Sequence, residues 1–116
     1  MTNNWEKIGK SVLYYHDLAN YVTHIKISRE KQLNALNKEV INSLEKILDL
    51  ITNDSRIRSA IISGEGEKAF VAGADIKEFK SFSKEDAQNL SMLGKQKLFN
   101  KISNFNKPII AAINGY

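Results

Sequence analysis

The chain has 116 residues, a length that fits a single domain, residues 1–116, able to bury roughly two thirds of the surface its unfolded form exposes. Its 42% hydrophobic and 26% charged residues exclude general disorder, and the formal charge of +4 comes from lysines interleaved with acids, too scattered for a nucleic-acid stripe. The absence of cysteine excludes disulfides, thiolate metal sites and a thiol nucleophile, while the start at Met1 to Lys7 lacks a signal-peptide core and no apolar run reaches membrane-spanning length, so the cytoplasm is the expected location.

Val12 to His16 and Tyr21 to Ile27 are β-rich runs separated by Asp17-Leu18-Ala19-Asn20, whose Asp and Asn suit a turn, and together they predict a hairpin. Alternation in the second run sets Thr23, Ile25 and Ile27 on one face and Val22, His24 and Lys26 on the wetter one. His16 and His24 read as partly exposed strand residues rather than catalytic ones. Ser28 to Leu36 is polar and irregular. An amphipathic helix follows from about Asn37 to Asn53, with Asn37 as its cap and Val40, Ile41, Leu44, Ile47, Leu48 and Ile51 at helical spacing. Ser59 to Ser63 reads as a buried strand ending at Gly64-Glu65-Gly66. Strand, helix and strand in this order predict a βαβ unit, hence an α/β fold.

Gly64, Gly66 and Ala69 have the spacing of a dinucleotide fingerprint immediately after a strand. Glu65 and Glu67 would repel a pyrophosphate, however, and Phe70-Val71-Ala72-Gly73 does not open a helix, so the two glycines read as a turn. The stretch from Lys68 to Phe79 is more informative. Its tiny residues Ala72, Gly73 and Ala74 let a ligand lie against the main chain, and Asp75 can cap the turn that follows, which presents backbone amides to an anion or a developing oxyanion. The residues alone leave the substrate of such a site open.

Ser83 followed by Asp86 has the pattern of a capping box for a second long helix reaching about Ser103. Ala87, Leu90, Leu93, Leu98, Ile102 and Phe105 form its apolar side, with Lys95, Lys97 and Lys101 on a solvated face. Asn106-Lys107-Pro108 ends that helix, and Pro108 to Ile113 reads as a buried strand running into Asn114-Gly115-Tyr116. In α/β proteins the loop past such a strand carries ligand or catalytic groups, and here that loop is expected to be missing.

Three blocks together, Asn34-Ala35-Leu36, Ala69 to Glu78 and Lys107 to Tyr116, resemble in order and spacing the amino-terminal part of the enoyl-CoA hydratase (crotonase) family, from about Val12 onward. The central block is most like the short-chain hydratases of fatty-acid β-oxidation. The resemblance implies a crotonase-like spiral of ββα units, of which this chain is the amino-terminal portion, assembled as a homotrimer or hexamer and binding an acyl-CoA thioester. Coenzyme A would then be part of the substrate, with no separate cofactor and no metal. The amide of Ala74 matches one of two donors that hold the thioester oxygen as it becomes enolate-like. Ala72, Asp75 and Ile76 match positions that contact adenine and pantetheine largely through backbone, Lys31 and Lys77 match basic or polar positions near the CoA phosphates, and Leu33 lies in a stretch that lines CoA. For the two lysines, plain surface charge is the competing reading.

The family's second oxyanion donor and its two catalytic glutamates follow Asn-Gly-Tyr and have no counterpart in these 116 residues. Glu65, Glu67, Asp75 and Glu78 do not match them and read as a cap and surface acids. The implied reaction adds water across a 2-trans-enoyl-CoA double bond to give a 3-hydroxyacyl-CoA, with the 116 residues inactive alone and poorly soluble where apolar faces lie open. A non-catalytic CoA-binding remnant is one alternative. A second is another reaction of the same enolate-stabilising site, such as isomerisation, hydrolysis, decarboxylation or dehalogenation, and a nucleotide-binding βαβ module is a more distant one.

Overall fold

A computed structural model describes residues 4–73 and 95–115. Its centre is one mixed sheet in the order β1 (Glu6–Ile8), β2 (Val12–Asp17), β3 (Val22–Ile27), β4 (Ser59–Gly64) and β5 (Ile109–Ala111). The pairs β1–β2 and β2–β3 are antiparallel, and β3–β4 and β4–β5 are parallel. Between β3 and β4 runs α1 (Lys38–Thr52), so the βαβ unit and the α/β class read from the sequence are present. The hairpin turn is closed by Asn20, whose side chain donates to Asp17 Oδ2 at 2.9 Å. Tyr21 falls outside β3 in the left-handed region, φ 60°, which directs its carbonyl to the amides of Arg58 and Ser59 at 2.7 and 3.2 Å. The turn of the hairpin thereby aligns the start of β4.

Helix α1 begins where a side-chain acceptor is available: Asn37 Oδ1 takes the amide of Val40 at 2.8 Å, as expected of an N-cap. Val40, Leu44, Ile47, Leu48 and Ile51 are buried along one stripe, facing Val12, Ile25, Ile27 and Ala60 of the sheet. Each such side chain contributes about 1.5–3 kcal/mol of burial free energy. Thr23, Ile25 and Ile27 point into this core while Val22, His24 and Lys26 lie half-buried on the opposite face, as the alternation predicts. On that second face Tyr15 stacks on His24 with centroids 4.4 Å apart, and Trp5 meets Tyr15 edge-on at 4.5 Å.

The predicted second helix lies partly outside the described residues, including the Ser83–Asp86 box and Ala87, Leu90 and Leu93. Its described end is a π-helical turn (Lys95–Phe99) followed by α2 (Asn100–Ser103). Leu98 is buried against the core, and Ile102 and Phe105 pack beside it, so this part of the apolar side is where periodicity sets it. The last strand departs from expectation. It is three residues long rather than six, and it is not buried: Ile110 is 52% exposed, and Ile113, two residues past the strand, is 70% exposed. An apolar run signals an interior strand only when both faces are covered, and β5 is paired on one side, with β4, at the rim of the described sheet.

Lys107, two residues before β5, is tied to the end of α1. Its ammonium donates to the carbonyls of Ile51, in the last turn of α1, at 2.5 Å and of Asp54, just past that helix, at 2.9 Å, beside the turn amides of Asp54 and Ile57 that the same carbonyls accept. Lys107→Met keeps the aliphatic stem and removes the donor, and is expected to lower the unfolding free energy by about 1–2 kcal/mol in urea titration. An unchanged midpoint would assign the contact to the surface.

Candidate functional site at the carboxyl edge of the parallel strands

Three segments leave the carboxyl ends of the parallel strands, residues 28–37 after β3, 65–73 after β4 and 112–115 after β5. This is the side of an α/β sheet on which ligands are bound. The first segment opens with a one-turn 3-10 helix, Glu30–Gln32, and then places Leu33 and Asn34 in succession in the left-handed region, φ 53° and 56°. Asparagine tolerates that conformation, whereas for leucine it costs about 1–2 kcal/mol. The reversal turns the Leu33 carbonyl toward the second segment, where it accepts the amide of Ala72 at 3.1 Å, and Leu36 donates to the carbonyl of Gly73 at 2.7 Å.

Asn34 lies between these two bonds and is 1% exposed. Its Oδ1 accepts the amide of Arg29 at 2.8 Å, and its Nδ2 donates to the carbonyls of Glu65 at 3.0 Å and Ala69 at 2.9 Å. Arg29 in turn donates to the carbonyl of Ala35 at 2.6 Å. On the other flank Asn114 Nδ2 donates to the carbonyls of Gly64 and Gly66. Gly115 lies so close to Lys68 that a Cβ would enter the space of its carbonyl. The middle loop is held from both sides by side chains and backbone.

A cavity of about 450 Å³ opens beside it, lined by Glu30, Lys31, Gly66, Glu67 and Lys68. Two lysines and two glutamates balance its charge, while Glu65 is drawn away to Lys26 on the far face of the sheet at 2.9 Å. A larger cavity, about 530 Å³, lies against Thr52, Lys101 and Phe105, at the carboxyl end of α1 and away from the three loops. Among the described residues the strongest carboxylate perturbation also lies away from them. Hydrogen bonds from the Arg56 side chain and amide hold the Asp54 carboxyl well below the usual range, and Asp54 precedes the amino end of β4. Among the described residues no three His, Asp or Glu side chains are grouped to hold a metal ion.

Of the residues singled out in the sequence, Lys31 is exposed on the 3-10 turn and lines the cavity. Leu33 is 43% exposed beside it, and Ala72 is joined to Leu33 through the backbone, so these three share one edge. Because the Ala72 amide is already donated to Leu33, a backbone contact from Ala72 to a ligand would have to use its carbonyl. Ala74, Asp75, Ile76 and Lys77 lie outside the described residues. The segment from Glu65 to Gly73 forms no helix, which removes the dinucleotide reading of Gly64, Gly66 and Ala69. Asn34, Asn114, Glu30 and Lys68 were not foreseen as site residues. The one local signal was Asn34 itself, a residue type at home in the left-handed region.

Residues 17–116 match the family model described as enoyl-CoA hydratase/isomerase. The chain is 40% identical to the short-chain-enoyl-CoA hydratase of Clostridium acetobutylicum over 95 residues, 82% of this chain and 36% of that protein. It is 38% identical to the mitochondrial enoyl-CoA hydratase of Pongo abelii over 111 residues, 96% of this chain and 34% of that one. The chain thus spans about a third of the length of these curated relatives. The crystal structure of enoyl-CoA hydratase from Bacillus anthracis superposes with a TM-score of 0.83 at 30% identity, over 91% of this chain and 40% of that one. The mixed sheet described above is accordingly the amino-terminal portion of a crotonase-like α/β fold. Sequence and structure agree that this chain belongs to the enoyl-CoA hydratase/isomerase family.

Proposed function

We propose that the chain supplies the CoA-binding edge and one oxyanion donor of an enoyl-CoA hydratase, within the amino-terminal part of a single crotonase-like domain. The observation that supports this reading is the joining of Leu33 to Ala72 and of Leu36 to Gly73, close in the chain to Lys31 at the cavity wall. In the reaction, the oxygen of water bonds to the β-carbon of a 2-trans-enoyl thioester, its proton leaves to a base, and a proton is delivered to the α-carbon. Charge builds on the thioester oxygen between those events, and the amide of Ala74 is assigned to it as a preorganised donor, worth about 3 kcal/mol in comparable sites. Lys31, with Lys77, would meet CoA phosphates. Leu33, Ala72, Asp75 and Ile76 would border the adenine and pantetheine.

No separate cofactor is assigned, since coenzyme A arrives with the substrate. The domain as a whole is assigned to β-oxidation in the cytoplasm and to a trimer or a pair of trimers; among the described residues no helix is long and apolar enough to cross a membrane. Hydration also requires positioned carboxylates. The described candidates here do not supply them, because Glu65 is paired with Lys26 and Glu67 is exposed.

The test is a calorimetric titration of the 116-residue chain with CoA, beside a crotonyl-CoA hydration assay. Saturable CoA binding without turnover is expected. Lys31→Ala should weaken that binding by about 2- to 5-fold, with less salt sensitivity than the parent, the scale of one exposed ionic contact. Turnover by this chain would move the acid and base onto residues present here, and absence of CoA binding would remove the edge from the CoA site.

A further inference from the structure

Resting on the CoA edge just proposed, we infer that Asn34 and Asn114 are a pair of positioning residues that hold loop 64–73 in its ligand-facing shape. Each carboxamide nitrogen reaches two backbone carbonyls there: Glu65 and Ala69 from Asn34, at 3.0 and 2.9 Å, and Gly64, the last residue of β4, and Gly66 from Asn114. Four acceptors within six residues are thus engaged from opposite flanks, by the segment after β3 and the segment after β5.

The chemistry explains why asparagine occupies both places. A loop without helix or ladder must find donors for its carbonyls elsewhere. A carboxamide offers two N–H donors from one neutral group; serine offers one, a carboxylate none, and an ammonium would bring charge. Asn34 adds an acceptor, Oδ1, for the Arg29 amide, so a side chain that is 1% exposed has both its oxygen and its nitrogen engaged. Its left-handed backbone carries it in between the Leu33–Ala72 and Leu36–Gly73 bonds. A loop ordered beforehand binds its ligand without an ordering cost, so the pair acts on affinity through loop shape and touches no ligand.

Amide exchange and CoA titration on the 116-residue chain test this. In Asn114→Ala, a change at the exposed flank, the amides of Ala72 and Leu36 should exchange about tenfold faster while those of Leu44 to Leu48 in α1 keep parental rates. CoA should bind about tenfold more weakly. Asn34→Ala should do the same more strongly, and Asn114→Gln, which keeps the two donors, should recover part of both losses. Unchanged exchange at Ala72 and Leu36 in Asn114→Ala would overturn the inference, as would equal acceleration throughout α1, the mark of a general loss of stability. If Asn34→Ala does not fold, Asn114→Ala still decides. A parent chain that fails to bind CoA would defeat the CoA reading alone, and the exchange rates would then decide whether the asparagines hold the loop.

Discussion

Gly64→Ala is expected to lower the unfolding free energy by about 3 kcal/mol, the upper range for inserting a methyl group into a packed site. It should also weaken CoA binding beyond detection in the same titration. Gly64 is the last residue of β4, and a Cβ there would stand 2.8 Å from the carbonyl of Ala69 and 2.8 Å from Asn34 Nδ2, and closer still to the carbonyl of Phe70. Two of the three atoms are backbone, so no rotamer change clears them. The loop must lift from the strand, and lifting it breaks the Asn34 bond to Ala69 and disturbs the Ala72 to Leu33 bond three residues on. Urea unfolding followed by calorimetry checks both parts. A variant as stable as the parent within about 0.5 kcal/mol, the usual range for a surface substitution, would mean that the loop does not lie on Gly64.

The glycine itself was legible in the sequence, but only as a turn. What the sequence conveys well is what repeats along it. The alternation of Thr23, Ile25 and Ile27, the helical stripe from Val40 to Ile51 and the Asn37 cap each follow from a local period or a three-residue offset, and each is where it was expected. Strand β1 escaped because Glu6-Lys7-Ile8 is three residues long and mostly exposed, with too little alternation to register. The exposure of β5 escaped for the opposite reason. Ile109 to Ile113 carries a strong apolar signal, but burial depends on what covers the strand, which periodicity within the strand does not encode.

The site divides along the same line. Ala72 was marked by its small size beside Gly73 and Ala74, whereas Lys31 and Leu33 were reached through resemblance, with no period or spacing of their own to mark them. The asparagine contacts were not reachable by any local rule, since Asn34 meets partners 31 and 35 residues away and Asn114 meets partners 50 and 48 residues away. Such bonds exist only after the βαβ crossover has brought the three strand ends together. The cavity walls Glu30 and Lys68 are in the same position: each is an ordinary surface charge until the loops meet.

Ile47→Ala should separate the core from the site. Ile47 is fully buried in the middle of the α1 stripe, and its truncation is expected to cost about 3–4 kcal/mol through lost burial and an incompletely filled cavity. A chain of this length has roughly 6–17 kcal/mol in all, so the variant should still fold, with a clearly lower urea midpoint. A loop held by its own clamps should open by local fluctuations that leave α1 intact, so the Ala72 and Leu36 amides, bonded to Leu33 and Gly73, are expected to exchange at parental rates until global unfolding becomes the easier route. CoA affinity, corrected for the folded fraction, should likewise be unchanged. Gly64→Ala and Ile47→Ala then have similar costs in stability but differ in binding, lost in the first and kept in the second, as expected of a loop whose shape is set locally. A fall in affinity for Ile47→Ala as large as that for Gly64→Ala would mean that the loop takes its shape from the packing of α1 on the sheet, with Asn34 and Asn114 following it.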